Sequence, residues 1–488
     1  MMKRIYLFGL LLYPVFIWSQ SPGGIHEITA WLKADLKNNY SLFSKVKVDA
    51  ATDKIYPNVS LLNYNPAFQF NGLNDHIYFP IQANELSQAT IFVVYQEAEA
   101  KVEQSVWKLN GISTSISLTT KMVSDVTGDL TYAADQPNSA VINTYIKNWK
   151  TEKIEDHEGL FLGKNESGAA SFNGKIAEYL LYDKVLKRSA QRKIETYLAI
   201  KYGISLKHDY ISSSGKLLWS FKNNSAYSYR ITGLGRDDKG SLYQRQSENK
   251  EESFFIAIGA GEIANSNNEN KNNINELDFL LFGDNDEELI IENAGENDEL
   301  IRLLKRRWFM NVSGKSANTL STELRIDISK IFPERSTPNN YVLLIDRSGK
   351  GNFTSDKTEY FIANELSKDG ILTFKDIFWD TDCSGTDIFS FGLKPAIRLT
   401  GLPEQIDRGI TLYPNPSSNG NYTLSIRLEK PTAIQVNIFD EGGRLVQSLS
   451  GNQRSQYLFN GKISGSAGVY SFHITTPYQK TTKQLVVR

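Results

Sequence analysis

The chain has 488 residues, 54 basic and 55 acidic, with a formal net charge of −1 and one cysteine. That length exceeds what a single core supports and predicts two to four domains. The near-neutral balance argues against a dedicated nucleic-acid binder, which would carry a basic face, and the lone Cys383 rules out an intrachain disulfide.

Residues 1–20 read as a signal peptide. Lys3 and Arg4 form a charged start, Ile5 to Trp18 is an apolar run broken by Pro14, and Ser19, Gln20 and Ser21 offer a small-residue processing region. The run is shorter than the roughly 20 residues that cross a bilayer. No other stretch is long enough for a membrane helix, so the mature protein is expected to be exported and soluble.

From Ile25 to Leu206 the pattern is mostly β. Phe68 and Phe70, then Ile77 and Phe79, alternate with polar residues around Asn71–Asp75, which predicts a hairpin. Ile91–Tyr95 is a continuous apolar run, as in a buried strand, and Ile176–Tyr182 is another strand entered through Asn173-Gly174. One helix stands out. Ser189 is placed to cap it, Ile194, Tyr197 and Leu198 share a face, and Gly203 sits where a left-handed residue ends a helix. It is expected to close the first domain.

Three blocks here carry a resemblance: Ala30-Trp31-Leu32-Lys33-Ala34-Asp35, Phe172-Asn173-Gly174-Lys175-Ile176-Ala177-Glu178 with Tyr182-Asp183, and Ile194 to Ile204. Together they resemble the concanavalin A-like (laminin G or pentraxin-like) jelly roll of Bacteroidetes surface proteins. The resemblance covers residues 21–206. It implies a two-sheet sandwich of a kind used for glycan binding, glycoside hydrolysis or adhesion.

Residues 207–394 are again strand-rich. The blocks Ile231–Asp238, Ser241–Ser247, Arg306-Arg307-Trp308 and Tyr341–Asp346 resemble the domain of unknown function that accompanies this jelly roll. A second β-sandwich is expected. Asn265–Asn273, made of Asn, Ser, Glu and Lys, reads as a flexible loop by composition.

Residues 395–408 read as a linker and 409–488 as a small Ig-like sandwich. Ile434, Val436 and Ile438 alternate with polar residues, Glu441-Gly442-Gly443 makes a hairpin turn, and Tyr470, Phe472 and Ile474 alternate on a later strand. Tyr413, Pro414, Asn415, Pro416, Gly468, Tyr470 and Lys483 resemble the blocks of the type IX secretion system C-terminal sorting domain. That resemblance implies recognition by the type IX machinery, with the tail removed or exchanged for a surface anchor. The whole is read as all-β, a series of β-sandwiches.

Signs of chemistry are sparse. Glu276-Leu277-Asp278 begins the Glu-x-Asp-x-x-Glu pattern of jelly-roll glycosidases without completing it. Glu155-Asp156-His157-Glu158 lacks the alternation that would aim its side chains into one cleft. His26, His76, His157, His208 and His473 show no zinc-binding spacing. Asp346, Ser348 and Asn352 lie in a glycine-containing loop spaced like a calcium loop, although Lys350 occupies a position that wants a carboxylate. Asp380, Asp382 and Asp387 around Cys383, and Asp284, Asp286, Glu287 and Glu288, read as solvated acidic loops, and Cys383 as a half-buried small residue. Trp31, Trp107, Trp219, Trp308 and Trp379 are expected in cores, and Trp149 is the least core-like tryptophan.

No catalytic residue or cofactor is assigned, calcium being the one candidate. The favoured function is a secreted or cell-surface protein that binds a glycan or protein ligand through the jelly roll, with no nucleic acid and no membrane span. The alternatives are a glycoside hydrolase or lyase with a non-standard site, and a structural adhesin.

Overall fold

The computed structural model describes residues 20–44, 57–79, 87–99, 102–111, 115–125, 128–131, 139–148, 157–164, 169–249, 251, 256–292, 301–329, 331–332, 337–394, 409–476 and 480–488. The expected signal peptide before Gln20, Trp149, Glu155, Asp156 and the expected 395–408 linker lie outside these residues.

Two sheets form the first sandwich. In one, Gln88–Glu97 and Asn173–Tyr182 pair centrally, with Ala140–Asn148 outside the former and Ala30–Asp35, then Asn39–Ser44, outside the latter. The other runs Gly128–Thr131, Met122–Asp125, Ser115–Thr119, Gln104–Gly111, His157–Leu162, Ile77–Phe79. Alternation sends every second side chain inward, so Phe68, Phe70, Ile77, Phe79, Ile91, Val93, Tyr95, Trp107 and Leu160 meet in one core.

The expected 68–79 hairpin is not formed. Asn65–Asn71 pairs with Asn58–Leu62 and with Asn173–Tyr182, whereas Ile77–Phe79 pairs with His157–Leu162 in the opposite sheet. The alternation was real on both sides of the turn, but its two apolar rows face each other across the core. A period of two fixes which face is buried and leaves the partner strand open.

Gln88–Glu97 is buried on both faces, because Phe92 and Val94 point outward under helix α1, Arg188–Tyr202. The helix starts just before the expected cap, with Lys187 extended at its N-terminus and no side-chain cap bond, and it ends as expected at Gly203 with φ 64°. A β-carbon on Gly203 would lie 2.2 Å from the Glu248 carbonyl oxygen, so the turn also requires the missing side chain. Gln191, Glu195, Thr196, Ala199 and Ile200 are buried in addition to the predicted face. A helix buried on more than one flank is an interior element even where some of the buried residues are polar. Its second flank packs on Tyr210, Trp219, Ile231, Leu242, Phe279 and Leu281 from downstream, so one core is common to both sandwiches.

The second sandwich pairs an eight-stranded with a five-stranded sheet around Trp308, Phe374, Trp379, Phe389 and Phe391. Asn265–Asn273 is ordered, contrary to its composition. Asn270 is fully buried and donates to the carbonyls of Ala260 (3.2 Å) and Glu262 (2.7 Å), and Asn267 pairs with the backbone of Tyr243 and Arg245. A side-chain amide donates and accepts, so it can replace a missing strand neighbour.

In the tail, Asn421–Phe439 and Leu445–Lys462 form one long hairpin. Its register shifts between Arg427 and Ile434, and its two halves take different neighbours, Ile410–Tyr413 and Gly468–Thr475. Ile426, Val436, Ile438, Tyr470, Phe472 and Leu485 fill its core.

Candidate functional site

The jelly-roll-like blocks converge on Glu178, which is buried. Trp31 Nε1 donates to Oε2 (2.9 Å), and Tyr197 and Tyr202 donate their hydroxyls to Oε1 (2.8 Å each), joined there by Lys201 Nζ. Burial opposes the charged form, but the Lys201 and Lys33 ammonium groups and the donors outweigh it, holding the carboxyl below its usual range. Lys33 sits 4.3 Å over the Trp31 ring, and burial, then Lys201, lowers its pKa. Every oxygen is engaged and the carboxylate is sealed, so this cluster clamps α1 to the first sandwich.

A second polar cluster lies at the C-terminus of α1. Asn63 Nδ2 donates to Lys201 O (3.0 Å) and Asn65 Nδ2 donates to the same oxygen (2.7 Å), while Asn249 Nδ2 donates to Gly203 O (3.1 Å). Terminal helix carbonyls need external donors, and here both sandwiches supply them.

The tail gathers its seven motif residues around the last strand, Lys480–Val487. Asn415 Nδ2 donates to Gln484 O (2.6 Å) and Val486 N donates to Asn415 Oδ1 (2.9 Å). Ser417 N then donates to Val486 O (2.8 Å) and Arg488 N to Ser417 O (2.9 Å). The Pro-Asn-Pro segment thus runs along the terminal strand in place of a further strand. Across the ladder Gly468 opposes Val487, Tyr470 opposes Leu485 and Phe472 opposes Lys483. Tyr413 is 51% exposed and Pro414, Asn415 and Pro416 are also exposed, whereas Tyr470 is buried and donates its hydroxyl to Ser466 O (2.7 Å). Tyr413 to Pro416 thus lie at the surface, Lys483 is half-buried on the terminal strand, and Tyr470 lies in the core.

On the outer face of the first sandwich, Tyr78, Phe161 and Lys108 occupy one cross-strand row. The Tyr78 and Phe161 rings stack with centroids 4.5 Å apart, and Lys164 Nζ lies 4.9 Å from the Phe161 ring. All four side chains are half-buried. Gly159 accommodates the tyrosine, since a β-carbon there would meet its ring at 2.5 Å. Sequence reasoning missed this patch. Its signal was an aromatic at an outward position, Tyr78 between Ile77 and Phe79 and Phe161 between Leu160 and Leu162.

The candidate calcium loop is closed by its own backbone. Asp346 Oδ1 accepts from Ser348 N (2.9 Å) and Ser348 Oγ (2.7 Å), and Oδ2 accepts from Lys350 N (3.1 Å) and Asn352 N (3.0 Å). Asn352 Oδ1 is taken by Thr354. Among the described residues no three His, Cys, Asp or Glu side chains are grouped to hold a metal. The acidic loops are only partly solvated. Asp284 is buried and paired with Arg230, and Asp387 is buried with Oδ2 bonded to Arg347 Nη1 (2.8 Å) and to Asp380 N (2.6 Å). Burial pushes the Asp387 carboxyl up to about 6 despite Arg347. Cys383 is exposed rather than half-buried, at φ 59° in a tight loop. Trp107, Trp219, Trp308 and Trp379 are core residues, and Trp31 is half-buried.

The fold and tail define an exported, multidomain β-sandwich protein. Residues 411–488 match the secretion system C-terminal sorting domain, so the chain carries a signal for type IX export to the cell surface or extracellular space. Residues 190–382 match a domain of unknown function (DUF8202), a match that begins inside α1. No curated protein matches the chain. Among solved structures, it is similar to the CBM40 of Ruminococcus gnavus IT-sialidase bound to α2,3-sialyllactose, at 16% identity over 24% of this chain and 94% of that one, with a TM-score of 0.17. It is also similar to the botulinum neurotoxin serotype D binding domain, at 11% identity over 76% and 96% and a TM-score of 0.30. Dimeric latent PorU of Porphyromonas gingivalis is similar at 12% identity over 92% and 35%, with a TM-score of 0.15. TM-scores this low assign nothing to this chain. No helix among the described residues is long and apolar enough to cross a membrane.

Proposed function

We propose that this is a non-enzymatic surface or secreted binding protein, delivered by the type IX machinery. Its first sandwich, a concanavalin A-like jelly roll over residues 21–206, takes a glycan or protein ligand. The sorting tail is removed or exchanged for a surface anchor after export. The observation that supports binding is the half-buried Tyr78–Phe161 stack with Lys108 and Lys164 beside it, on a sheet face that α1 does not cover. Aromatic rings with cations alongside offer both apolar contact and charge to a ligand.

A glycan array probed with the full-length exported protein and with its Tyr78→Ala/Phe161→Ala variant tests this. Array signals that the double substitution abolishes support the reading. Signals that survive it move the binding face elsewhere. Release of reducing sugar from a polysaccharide panel would replace the binding role with a hydrolytic one, and silence in both assays would favour a structural adhesin.

A further inference from the structure

We propose that Arg245 forms an anion-binding site on the second sandwich, taking a carboxylate or sulfate ester carried by an extracellular polysaccharide. The site is separate from the Tyr78–Phe161 face and does not depend on it.

Tyr243 lies on the edge strand Leu242–Gln244 of the eight-stranded sheet, with Arg236 directly across the ladder. Its ring is flanked by two guanidinium groups, with the Arg236 Cζ at 4.8 Å and the Arg245 Cζ at 3.5 Å from the ring centroid. The two arginines are not equivalent. Arg236 is committed, since Nε and Nη2 donate to the two oxygens of Asp238 (2.8 Å each) and Glu276 lies 3.8 Å away. Arg245 has no carboxylate within 4 Å among the described residues. Its Nε is buried without a hydrogen-bond partner while its side chain is half-exposed.

The Arg245 backbone and the Tyr243 ring against which the guanidinium lies are held in place. Arg245 N donates to Asn267 Oδ1 (2.7 Å), Ala260 N donates to Arg245 O (2.7 Å), and the Tyr243 hydroxyl donates to Asn273 Oδ1 (2.8 Å). The Asn-rich segment therefore fixes the Arg245 backbone and the tyrosine. Nε itself is covered, so a ligand would meet the terminal amino groups of this half-exposed side chain. A planar guanidinium offers a fork that matches the two oxygens of a carboxylate or sulfate. Pre-stacking on tyrosine removes much of the ordering cost of binding. Asp238 and Glu276 stand at Arg236, which shares the ring, so a ligand with closely spaced negative charges meets repulsion. One oxyanion per sugar fits better than an acidic peptide.

Titration calorimetry on the full-length protein tests this with tetragalacturonate for the carboxylate, a sulfated neutral-sugar oligomer for the sulfate, polyglutamate for the peptide, and an uncharged oligosaccharide as control. We expect one of the first two to bind. Arg245→Gln should weaken that binding at least tenfold, and Arg245→Lys at least threefold because an ammonium lacks the planar fork. Tyr78→Ala/Phe161→Ala should leave it unchanged, which separates this site from the first. Melting curves verify folding, and if Arg245→Gln does not fold the lysine variant decides. Binding of neither saccharide, equal binding of polyglutamate, or unchanged affinity in both Arg245 variants would overturn the proposal.

Discussion

Trp31 donates its indole N–H to Glu178 at 2.9 Å across a separation of 147 residues. That bond joins the start of the first sandwich to its last strand, and Tyr197, Lys201 and Tyr202 bring α1 to the same carboxylate.

Glu178→Gln should therefore destabilise the first sandwich severely. Lys201 and Lys33 would keep their charges with no carboxylate between them. Removing one partner of a buried pair costs about 3–5 kcal/mol. Urea denaturation checks this, and a loss below about 1 kcal/mol would mean the cluster relaxes. Exposed Glu27, paired with Lys184, serves as the control, since surface pairs contribute about 0–1 kcal/mol.

The same carboxylate sets an acid limit. Its folded pKa lies below the ordinary 4.5, so its contribution is fully present above that value and is lost as pH falls through the folded pKa. Asp387 runs the other way. Its folded carboxyl titrates at about 6 against an ordinary 3.8, so between these values the folded state binds the extra proton and stability rises as pH falls. Asp387→Asn should flatten the wild-type change between pH 6 and 4 in a series of denaturation curves. An unaltered profile would reassign it to another group.

Asn63→Ala should loosen the join between the sandwiches. It removes a donor from the Lys201 carbonyl and an acceptor from Glu248 N. A buried polar group left unpaired costs about 1–3 kcal/mol. Hydrogen exchange should accelerate in the last turn of α1 and around Ser247–Asn249, and protection unchanged there would count against the join.

Asn415→Ala should free the terminal strand. The bond its amide donates to Gln484 O and the one it accepts from Val486 N disappear, while the core residues Leu485 and Val487 remain. The expected result is faster removal of the last residues by carboxypeptidase and a large drop in protein reaching the medium or surface. Normal export with a frayed strand would show that recognition does not read this edge.

Millimolar calcium should leave the melting temperature unchanged, because each Asp346 oxygen already accepts from the loop's own donors. A rise in melting temperature that Asp346→Asn abolishes would show that calcium displaces those donors.

The continuous apolar run Ile91–Tyr95 and the alternation of Ile434–Ile438 and Tyr470–Ile474 were legible because the burial pattern of a strand is local to it. Which strands become neighbours was not, as the 68–79 segment shows, because partner choice is settled by contacts distant in sequence. Asn265–Asn273 misled for a related reason. Polar composition predicts solvation, yet asparagine amides can bond a backbone as a strand does. The acidic loops concealed Asp284 and Asp387 because their arginine partners, Arg230 and Arg347, lie 54 and 40 residues away. Of the tail, the sorting-domain resemblance was legible in the sequence, while the pairing of Asn415 along the terminal strand came only from the fold.

The core shared through α1 has a mechanical consequence. Two sandwiches on a flexible tether would swing independently, and a pull on one would straighten the tether before loading the other. With Ile194, Leu198 and Ile200 wedged between the sandwiches, the pair behaves as a single beam. A pull on one sandwich loads the other directly, with no tether between them to straighten first.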